Sequence, residues 1–505
     1  MKADNDSRSR HHFHMGLAGR VQMTSGKSSA VEWLDTQAQI FFGMSDRIWG
    51  FAEPALREYR SSRLLVEYLE KNGFNVTVGI SGMPTAFLAT WGEGRPILGF
   101  YAEYDATPGE SQKPVPYRDP VVPHAAGFSD MHNGLGVASV AAVVATKTVM
   151  ESHRLKGTLK IFGTPAEKLC VAKCYNARDG LYNDLDAAVC WHPWMQNTVT
   201  LDDGPGCYQA AVFDFFGTPA YGGRPWAGVS ALDAAILMNV NVNFMREHLP
   251  SYESITINEI MTAGGQCPTS LPEFAQIWYV SRAKSTKAIQ FVHKTLENCA
   301  QGAASVTGAG HKVRIASSVR PWLPNHVMAE LAYQNLCFVG PPKFSKEEKD
   351  FVQEIQRNLG LELLDGPMDE TLTDPKGNQA QFVGGADDVN EFTWHTPTCW
   401  IHVFYGFKTE IKSGYGFSTP SWARAALAKT GIAHKALLTA AKAMSSTAIS
   451  LLEDRQIVEA AQKEYKERIG LHCEPVALPK EAVPPIDLTF PPYYPEGWKV
   501  PVDIG

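Results

Sequence analysis

Hydrophobic and polar positions follow two different periods along the chain, and the period changes repeatedly from that of a helix to that of a strand. Apolar residues recur at helical spacing in Val31–Trp49 and in Ser61–Leu69, and Asn72-Gly73 ends the second of these segments. Ala86–Thr90 and Ile97–Tyr101 are short apolar runs that predict strands, the second apolar enough to be buried on both faces. This alternation predicts an α/β fold.

Polar residues collect where the predicted strands end. The loop Asp130–Asn133 precedes a long apolar helix, Leu159–Phe162 runs into a loop that contains Glu167, and Ala187–Trp191 ends at His192. In an open α/β sheet, ligands bind at the carboxyl ends of the strands. We therefore expect these polar side chains to form a functional site at that edge.

A second unit follows Asp202-Asp203-Gly204. Tyr208–Phe216 and Glu273–Val280 are predicted strands, and Ser230–Arg246 and Thr286–Ala300 are predicted helices. Beyond this unit the chain returns to the pattern of its first part. The simplest architecture is one α/β domain interrupted by a smaller inserted α+β domain.

Composition and charge argue against several classes of protein. The chain has 505 residues, 44% hydrophobic and 20% charged, which is typical of a globular protein rather than a disordered one. A net charge of -7 argues against nucleic acid as a partner, and no run of eighteen apolar residues predicts a membrane helix. The nine cysteines are scattered without a CxxC pair, so we expect a reducing, cytoplasmic location.

Nine segments, in order along the chain, carry a resemblance to a known family. They are Ile48-Trp49-Gly50-Phe51-Ala52-Glu53, Gly82-Met83-Pro84-Thr85-Ala86-Phe87, Glu103-Tyr104-Asp105-Ala106-Thr107-Pro108-Gly109, Pro165-Ala166-Glu167, Trp191-His192-Pro193, Ser230-Ala231-Leu232-Asp233-Ala234, Arg246-Glu247-His248, Pro324-Asn325 and Ala433-His434-Lys435. The chain resembles the M20 metallopeptidase and amidohydrolase superfamily, most of all the branch of the aminobenzoyl-glutamate hydrolase B-type subunits. The resemblance implies a catalytic α/β domain with an inserted lid that also forms a homodimer interface.

On this basis we divide the chain into four parts. They are a flexible N-terminal tail, a discontinuous catalytic domain, a lid or dimerisation domain, and a C-terminal helix with a proline-rich tail: 1–30, 31–206 with 320–450, 207–319 and 451–505. In the family, two metal ions commonly activate a water for attack on an amide carbonyl, and a glutamate takes the proton.

The resemblance places metal ligands at positions that this chain has partly changed. Asp130 stands where the family branch has a cysteine ligand, and His132 and His192 match histidine ligands. A second register, starting at His124, also resembles the motif, but His132 continues ungapped into the helix. Asp105 takes the place next to the ligands, where it would orient them.

Two further ligand positions are lost. The family's paired glutamates are here Glu167, the implied general base, and Lys168, and a C-terminal histidine ligand is replaced by Pro420. The remaining Asp130, His132 and His192 could hold a single zinc or manganese ion. The alternative is no metal at all, with the Lys168 ammonium supplying the missing positive charge.

The lid also departs from the family. Tyr221 replaces a histidine that reaches the substrate carbonyl, and Thr269 replaces an asparagine. Arg282 keeps the place of an arginine that binds a substrate carboxylate, and Trp194 could stack on an aromatic substrate. Asp387-Asp388 resembles a family loop near the active site, with a structural role as the alternative.

Three functions follow from these residues. The first is hydrolysis of an amide (C–N) bond in an N-acyl or aromatic amino-acid conjugate, with Glu167 as general base and at most one metal ion. The second is a metal-independent enzyme that uses Glu167, Lys168 and Tyr221 for hydrolysis, cyclisation or acyl transfer. The third is a non-catalytic partner subunit.

Overall fold

The computed structural model describes residues 22–376, 385–409, 419–472 and 478–488. It confirms the predicted α/β class: two sheets are covered by helices. The helices are α1 Ser25–Phe51, α2 Tyr59–Lys71, α3 His132–His153, α4 Ala172–Arg178, α5 Ala231–Met245, α6 Thr286–Thr307, α7 His326–Val339, α8 Lys346–Asn358, α9 Asn390–Thr393, α10 Ser421–Ala425, α11 Gly431–Glu453 and α12 Arg455–Leu471. Residues 1–21 of the predicted tail and 489–505 of the proline-rich end lie outside the described residues. Helix α1 already begins inside the segment predicted as tail.

The larger sheet has seven strands in the order β1-β2-β4-β3-β5-β11-β6. They are β1 Asn75–Val78, β2 Phe87–Glu93, β3 Ile97–Ala102, β4 Gly157–Gly163, β5 Ala187–Trp194, β6 Thr198–Val199 and β11 Thr398–Phe404. The four central strands β4, β3, β5 and β11 are parallel, and β11 is buried along its whole length. Their carboxyl ends therefore open on one common edge.

Helix α3 forms the centre of the core beside this sheet. Within the described ranges it is the one helix long and apolar enough to cross a membrane, yet 89% of its apolar window is buried inside the fold. It packs against α1, α11 and β3. Its apolar character is that of a core helix, and its first residue, His132, is placed directly at the sheet edge.

The smaller sheet is antiparallel, with the order β10-β7-β9-β8. Its strands are β7 Cys207–Phe216, β8 Thr256–Ala263, β9 Phe274–Ala283 and β10 Gly310–Val319. Side chains of β7 alternate: Phe213 and Phe215 pack with α5 and α6 residues, whereas Tyr208 and Val212 face the first domain. Both faces of β7 are thus buried, and the sheet lies within the predicted lid, whose exact boundaries stay a prediction.

Strands β8 and β10 carried no clear sequence signal, for a physical reason. Strand β8 is the exposed edge of its sheet, with a burial pattern that is mostly solvent-facing, and β10 is only partly buried over its first half. Neither therefore has a sustained apolar alternation.

Two residues that the sequence placed in a loop or at a strand end lie inside regular elements. His132 begins α3, and His192 lies inside β5.

A C-terminal segment, residues 478–488 (the C-terminal strap), packs against α4, β10 and the loop before α2. Arg57 donates to the carbonyl oxygens of Ile486 and Leu488 at 3.1 and 3.2 Å. The Tyr175 hydroxyl donates to the Val483 carbonyl at 2.8 Å. Leu478 and Leu488 are buried in a cluster that joins strands of the smaller sheet to α4 and to loops of the first domain. The strap therefore contributes to the core between the two units.

Truncating the buried end of the strap is expected to destabilise the fold. Leu488 is 2% exposed, so Leu488→Ala should lower the free energy of unfolding by about 2–4 kcal/mol through lost burial and a cavity. Val483→Ala is the matched control, because Val483 is 71% exposed and should change stability by less than about 0.5 kcal/mol. Urea unfolding of both variants measures the difference. Equal effects would mean that the strap does not contribute to the core.

Candidate active site

Chemical groups from four elements meet at the carboxyl edge of the parallel strands. Glu103 and Asp105 follow β3, Glu167 follows β4, His192 lies in β5, and His132 begins α3. All five are buried. Burial of this many ionisable groups is costly unless they pair with one another, so their mutual contacts define the site.

His132 lies at the centre of this cluster. Its Nδ1 is 2.8 Å from Asp105 Oδ1, and its Nε2 is 3.2 Å from Glu103, 3.5 Å from Glu167 and 3.6 Å from Asp130. Burial alone would lower the pKa of His132, but the charges of Asp130 and Glu103 and the Asp105 hydrogen bond raise it to about 9. Asp105 therefore fixes the ring orientation, and Nε2 points at the carboxylates.

Lys168 lies among the same groups. Its Nζ donates to Glu167 Oε2 at 2.7 Å and also to Asp130 Oδ2, and it is 3.3 Å from His132 Nε2. Burial by itself would raise the pKa of Glu167, but Lys168 and His132 lower it to about 2. Although burial opposes it, the charges of Asp130 and Glu167 hold the pKa of Lys168 well above its usual value. Glu167 is thus an ionised carboxylate beside a fixed cation.

The backbone around Glu167 has an uncommon conformation. Ala166 before it and Cys170 after it have φ angles of 58° and 50°, in the left-handed region that non-glycine residues seldom adopt. The Lys168 amide donates to Asp105 Oδ2 at 2.9 Å. The turn therefore directs both consecutive side chains, Glu167 and Lys168, into the same cluster.

His192 completes one side of the site. Its Nδ1 donates to the Pro193 carbonyl oxygen at 2.8 Å, which leaves Nε2 as the nitrogen with a lone pair. Burial, followed by the positive charge of His132, lowers the pKa of His192 to about 3. A neutral imidazole whose Nε2 carries a lone pair is the form that binds metal ions.

A buried network around Lys173 contacts the cluster through Glu103, and the sequence did not predict this network. Lys173 Nζ donates to Glu103 Oε1 at 2.6 Å and to Asp388 Oδ1, with Asp387 Oδ1 at 4.0 Å. Burial is the largest cause that raises the pKa of Asp388, to about 7. Asp387 and Asp388 were singled out by the sequence, but Glu103 and Lys173 were given no role. The available signal for Glu103 was its place directly after a buried strand.

Two predicted residues of the lid lie apart from this cluster. Tyr221 is 69% exposed and its backbone pairs with Ser270. Thr269 is exposed, with its hydroxyl 3.1 Å from Cys267 Sγ. Among the described residues, neither side chain has a contact with the Glu167 cluster. Their predicted roles in catalysis and substrate binding gain no support within a single copy of the chain.

The two other predicted substrate residues are Arg282 and Trp194. Arg282, in β9, donates to Asn258 Oδ1 at 3.1 Å and covers the Tyr208 ring at 5.4 Å. Trp194, at the end of β5, has its ring centre 6.4 Å from that of His192. Arg282 and Trp194 therefore remain candidates for substrate contact. His124, in the alternative motif register, is exposed.

The donor set favours one metal position. Potential ligand atoms of Glu103, His132 and His192 lie within 4.8 Å of one another, and Glu103 Oε2 is a buried oxygen that accepts no hydrogen bond from the described residues. Two imidazole nitrogens and one carboxylate suit a zinc-type ion. Asp130, which the sequence placed in this set, is in none of the three groups of described residues that meet this criterion; its Oδ2 binds Lys168, and its Oδ1 is buried without a hydrogen-bond partner among the described residues.

The other two groups fit an ion less well. In the group Asp105, His132 and Glu167, Asp105 already bonds the histidine Nδ1 and a backbone amide. In the group Glu103, Asp387 and Asp388, the ammonium of Lys173 already pairs with the carboxylates. A second divalent ion would thus have to displace an existing pairing.

Comparison with known proteins confirms the resemblance. No protein-family model matches the chain. The B-type subunit of the p-aminobenzoyl-glutamate hydrolase of Escherichia coli is 28% identical over 482 residues, which cover 89% of this chain and 97% of that protein. The Xaa-Arg dipeptidase of Mus musculus is 25% identical over 468 residues, covering 89% and 94%. These relatives are hydrolases of C–N bonds, as the predicted enzyme class requires.

A solved structure agrees at the level of the fold. An aminobenzoyl-glutamate utilization protein from Klebsiella pneumoniae superposes with a TM-score of 0.52 and 15% identity. The match covers 80% of this chain and 97% of that one. At this identity the match supports the architecture, and the chemistry must be argued from the side chains.

Proposed function

We propose that this M20-like chain is an amidohydrolase that cleaves the amide bond of an N-acyl or aromatic amino-acid conjugate, with Glu167 as general base. One observation carries the proposal: an ionised, buried Glu167 lies 3.5 Å from His132 at the carboxyl edge of the sheet. The relatives named above, one component of an aminobenzoyl-glutamate hydrolase and a dipeptidase, support the reaction class.

Each residue of the cluster has a defined part in this reaction. Glu167 takes the proton of the attacking water and returns it to the leaving nitrogen. Lys168 supplies a positive charge for the oxygen that becomes negative in the transition state. Asp105 keeps His132 oriented. A metal ion held by Glu103, His132 and His192 would lower the pKa of the water and polarise the carbonyl.

A second candidate is a metal-independent enzyme on the same scaffold. The position of the Lys168 ammonium, bonded to Glu167 and Asp130, favours it, because a fixed cation can take over charge stabilisation from an ion. Glu167 and Lys168 would then catalyse hydrolysis, cyclisation or acyl transfer. Tyr221 would take part only if lid movement or a second copy brought it to the site.

Metal analysis separates the two candidates. For protein purified without a histidine tag, we expect about one zinc or manganese ion per chain by mass spectrometry. We also expect turnover of an N-acyl or aminobenzoyl amino acid to be lost on chelation and restored by the ion. His192→Ala should lose the ion, whereas His434→Ala should keep it, because His434 pairs with Asp46 elsewhere in the fold. Metal-free protein with chelator-resistant turnover would instead establish the Lys168 reaction.

We also propose a cytoplasmic homodimer formed through the lid. Apolar side chains of α5 are exposed, with Phe244 at 75% and Ile236 at 48%, and Ile260 on the edge strand β8 is 48% exposed. An apolar patch next to an unpaired strand edge is suited to an interface between two copies. Sedimentation should give twice the mass of the chain, and Phe244→Asp should give the monomer.

If the protein has no turnover on any conjugate, the third alternative, a non-catalytic partner subunit, gains support.

A further inference from the structure

A buried carboxyl group, Glu58, lies directly behind the turn that carries Glu167. It is fully buried. Its Oε1 accepts hydrogen bonds from the backbone N–H groups of Leu56 and Ala166, each at 2.8 Å, and its Oε2 is 2.9 Å from the Thr85 hydroxyl. One side chain thus joins three segments of the chain, and one of them is the residue immediately before Glu167.

Both backbone donors belong to residues in unfavourable conformations. Leu56 has a φ of 62° and Ala166 a φ of 58°, and such conformations persist only where surrounding contacts enforce them. The Ala166 N–H is buried, and without Glu58 it would lack a partner. The hydrogen bond from Ala166 to Glu58 is therefore one of the contacts that hold the turn.

We infer that Glu58 is a positioning residue, which fixes the direction of the Glu167 carboxylate through the backbone of Ala166. The inference rests on the proposed function of Glu167 as general base. Glu58 has no direct contact with the reacting groups in the described part of the chain. Its effect passes through the left-handed turn, which sets the path of the chain from Ala166 into Glu167.

The protonation of Glu58 suggests a conservative replacement that should keep this role. Burial, and then the negative charge of Asp105, raise the pKa of Glu58 to about 8, which favours the protonated form of the group. A glutamine has the same shape. Its oxygen can accept from both N–H groups, and its amide can donate to the Thr85 hydroxyl. The hydrogen bonds, rather than a charge, should therefore be sufficient.

The test compares kinetic constants of single variants and one double variant, on a conjugate that the wild type hydrolyses. Glu58→Leu should lower kcat about 10- to 100-fold with little change in KM, because a small displacement of a catalytic group has effects of this size. Glu58→Gln should keep kcat within about threefold of wild type. The double variant Glu58→Leu/Glu167→Gln should lose no more than Glu167→Gln alone, since both changes act on one group.

Glu53→Leu is the matched control. Glu53 is a buried carboxylate of the same region that accepts from the amides of Arg60 and Ser61, at the start of α2 rather than at the Glu167 turn. The Glu53→Leu substitution should lower the melting temperature but leave kcat of the folded protein within about threefold of the wild-type value. If Glu58→Leu does not fold, Thr85→Val removes only the hydrogen bond to Oε2 and should lower kcat about 3- to 10-fold.

The outcomes are distinguishable. Wild-type kcat in folded Glu58→Leu, failure of the glutamine to rescue, or losses that add in the double variant would each overturn the positioning role. Full activity of Glu167→Gln would instead overturn the proposed function. A lower kcat in Glu58→Leu, with rescue by glutamine and non-additive losses, would establish the positioning role of Glu58.

Discussion

Replacing Glu167 with glutamine is expected to reduce kcat about 10³-fold, the scale of a lost general base. The amide has the shape of the carboxylate and can still accept a hydrogen bond from Lys168, which is 2.7 Å away. However, it cannot take a proton from water. The variant should therefore fold, at lower stability because one ion pair is lost, and bind substrate with a similar KM. Steady-state kinetics on an N-acyl or aminobenzoyl amino acid, together with circular dichroism, measure both properties.

A second buried carboxylate serves as the control for this variant. Glu464 is 5% exposed and accepts from the amides of His326 and Val327 at the start of α7. Glu464→Gln should retain kcat, because its hydrogen bonds hold a helix terminus rather than the Glu167 turn. If Glu167→Gln kept wild-type turnover, neither Glu167 mechanism could be correct. Equal losses in both variants would mean that the effect comes from folding.

The position of Glu167 could be predicted because it depends on local order in the chain. A short apolar strand followed by a polar loop places the loop residues at the carboxyl edge, and this pattern located Glu167. The resemblance supplied His132 and Asp105, which lie 2.8 Å apart in the structure. Strand periodicity likewise predicted β3 and β7, since both have continuous or alternating apolar positions.

Contacts between distant segments were not predictable in the same way. Lys173 pairs with Glu103, 70 residues earlier, and with Asp388, 215 residues later, and no local pattern connects these positions. The turns before Glu167 and His132 are also hidden in the sequence. Ala166 and Met131 have φ angles of 58° and 63°, where glycine would be the expected signal. Tertiary contacts, rather than residue type, enforce these turns.

Lys168 could be predicted in part, from its position in the chain, and in part could not, because its contact with Asp130 joins distant segments. Its sequence position identified the loss of a metal ligand, but the residue type alone left open whether the side chain faces solvent or the site. The structure places its ammonium between Glu167 and Asp130, with 18% of the side chain exposed. Because both carboxylates are themselves largely buried, the lysine, together with His132, compensates their charge. This arrangement predicts a large effect on stability when the charge is removed.

Replacing Lys168 with methionine is expected to lower the free energy of unfolding at pH 7 by about 3–5 kcal/mol, the range for removing one partner of a buried ion pair. Methionine keeps most of the volume of lysine, so the loss is mainly electrostatic. Lys147→Met is the matched control. Its side chain is 14% exposed, but its partner Glu151 is 52% exposed, and such a pair contributes about 0.5 kcal/mol or less. Denaturant unfolding of the two variants compares them directly.

The pH dependence identifies the source of this loss. In the wild type the pKa of Glu167 is held at about 2, below the value of about 4.3 in an unfolded chain. Its carboxylate therefore contributes stability above about pH 4.3, and this contribution is lost as the pH falls towards about 2. Without Lys168 the folded pKa rises towards the unfolded value, so the methionine variant should lose less stability than the wild type between about pH 4.3 and pH 2. The gap between the two proteins should narrow over that interval. A constant gap would mean that Lys168 acts through packing, and the charge that it provides to the site would then have no part in holding Glu167 ionised.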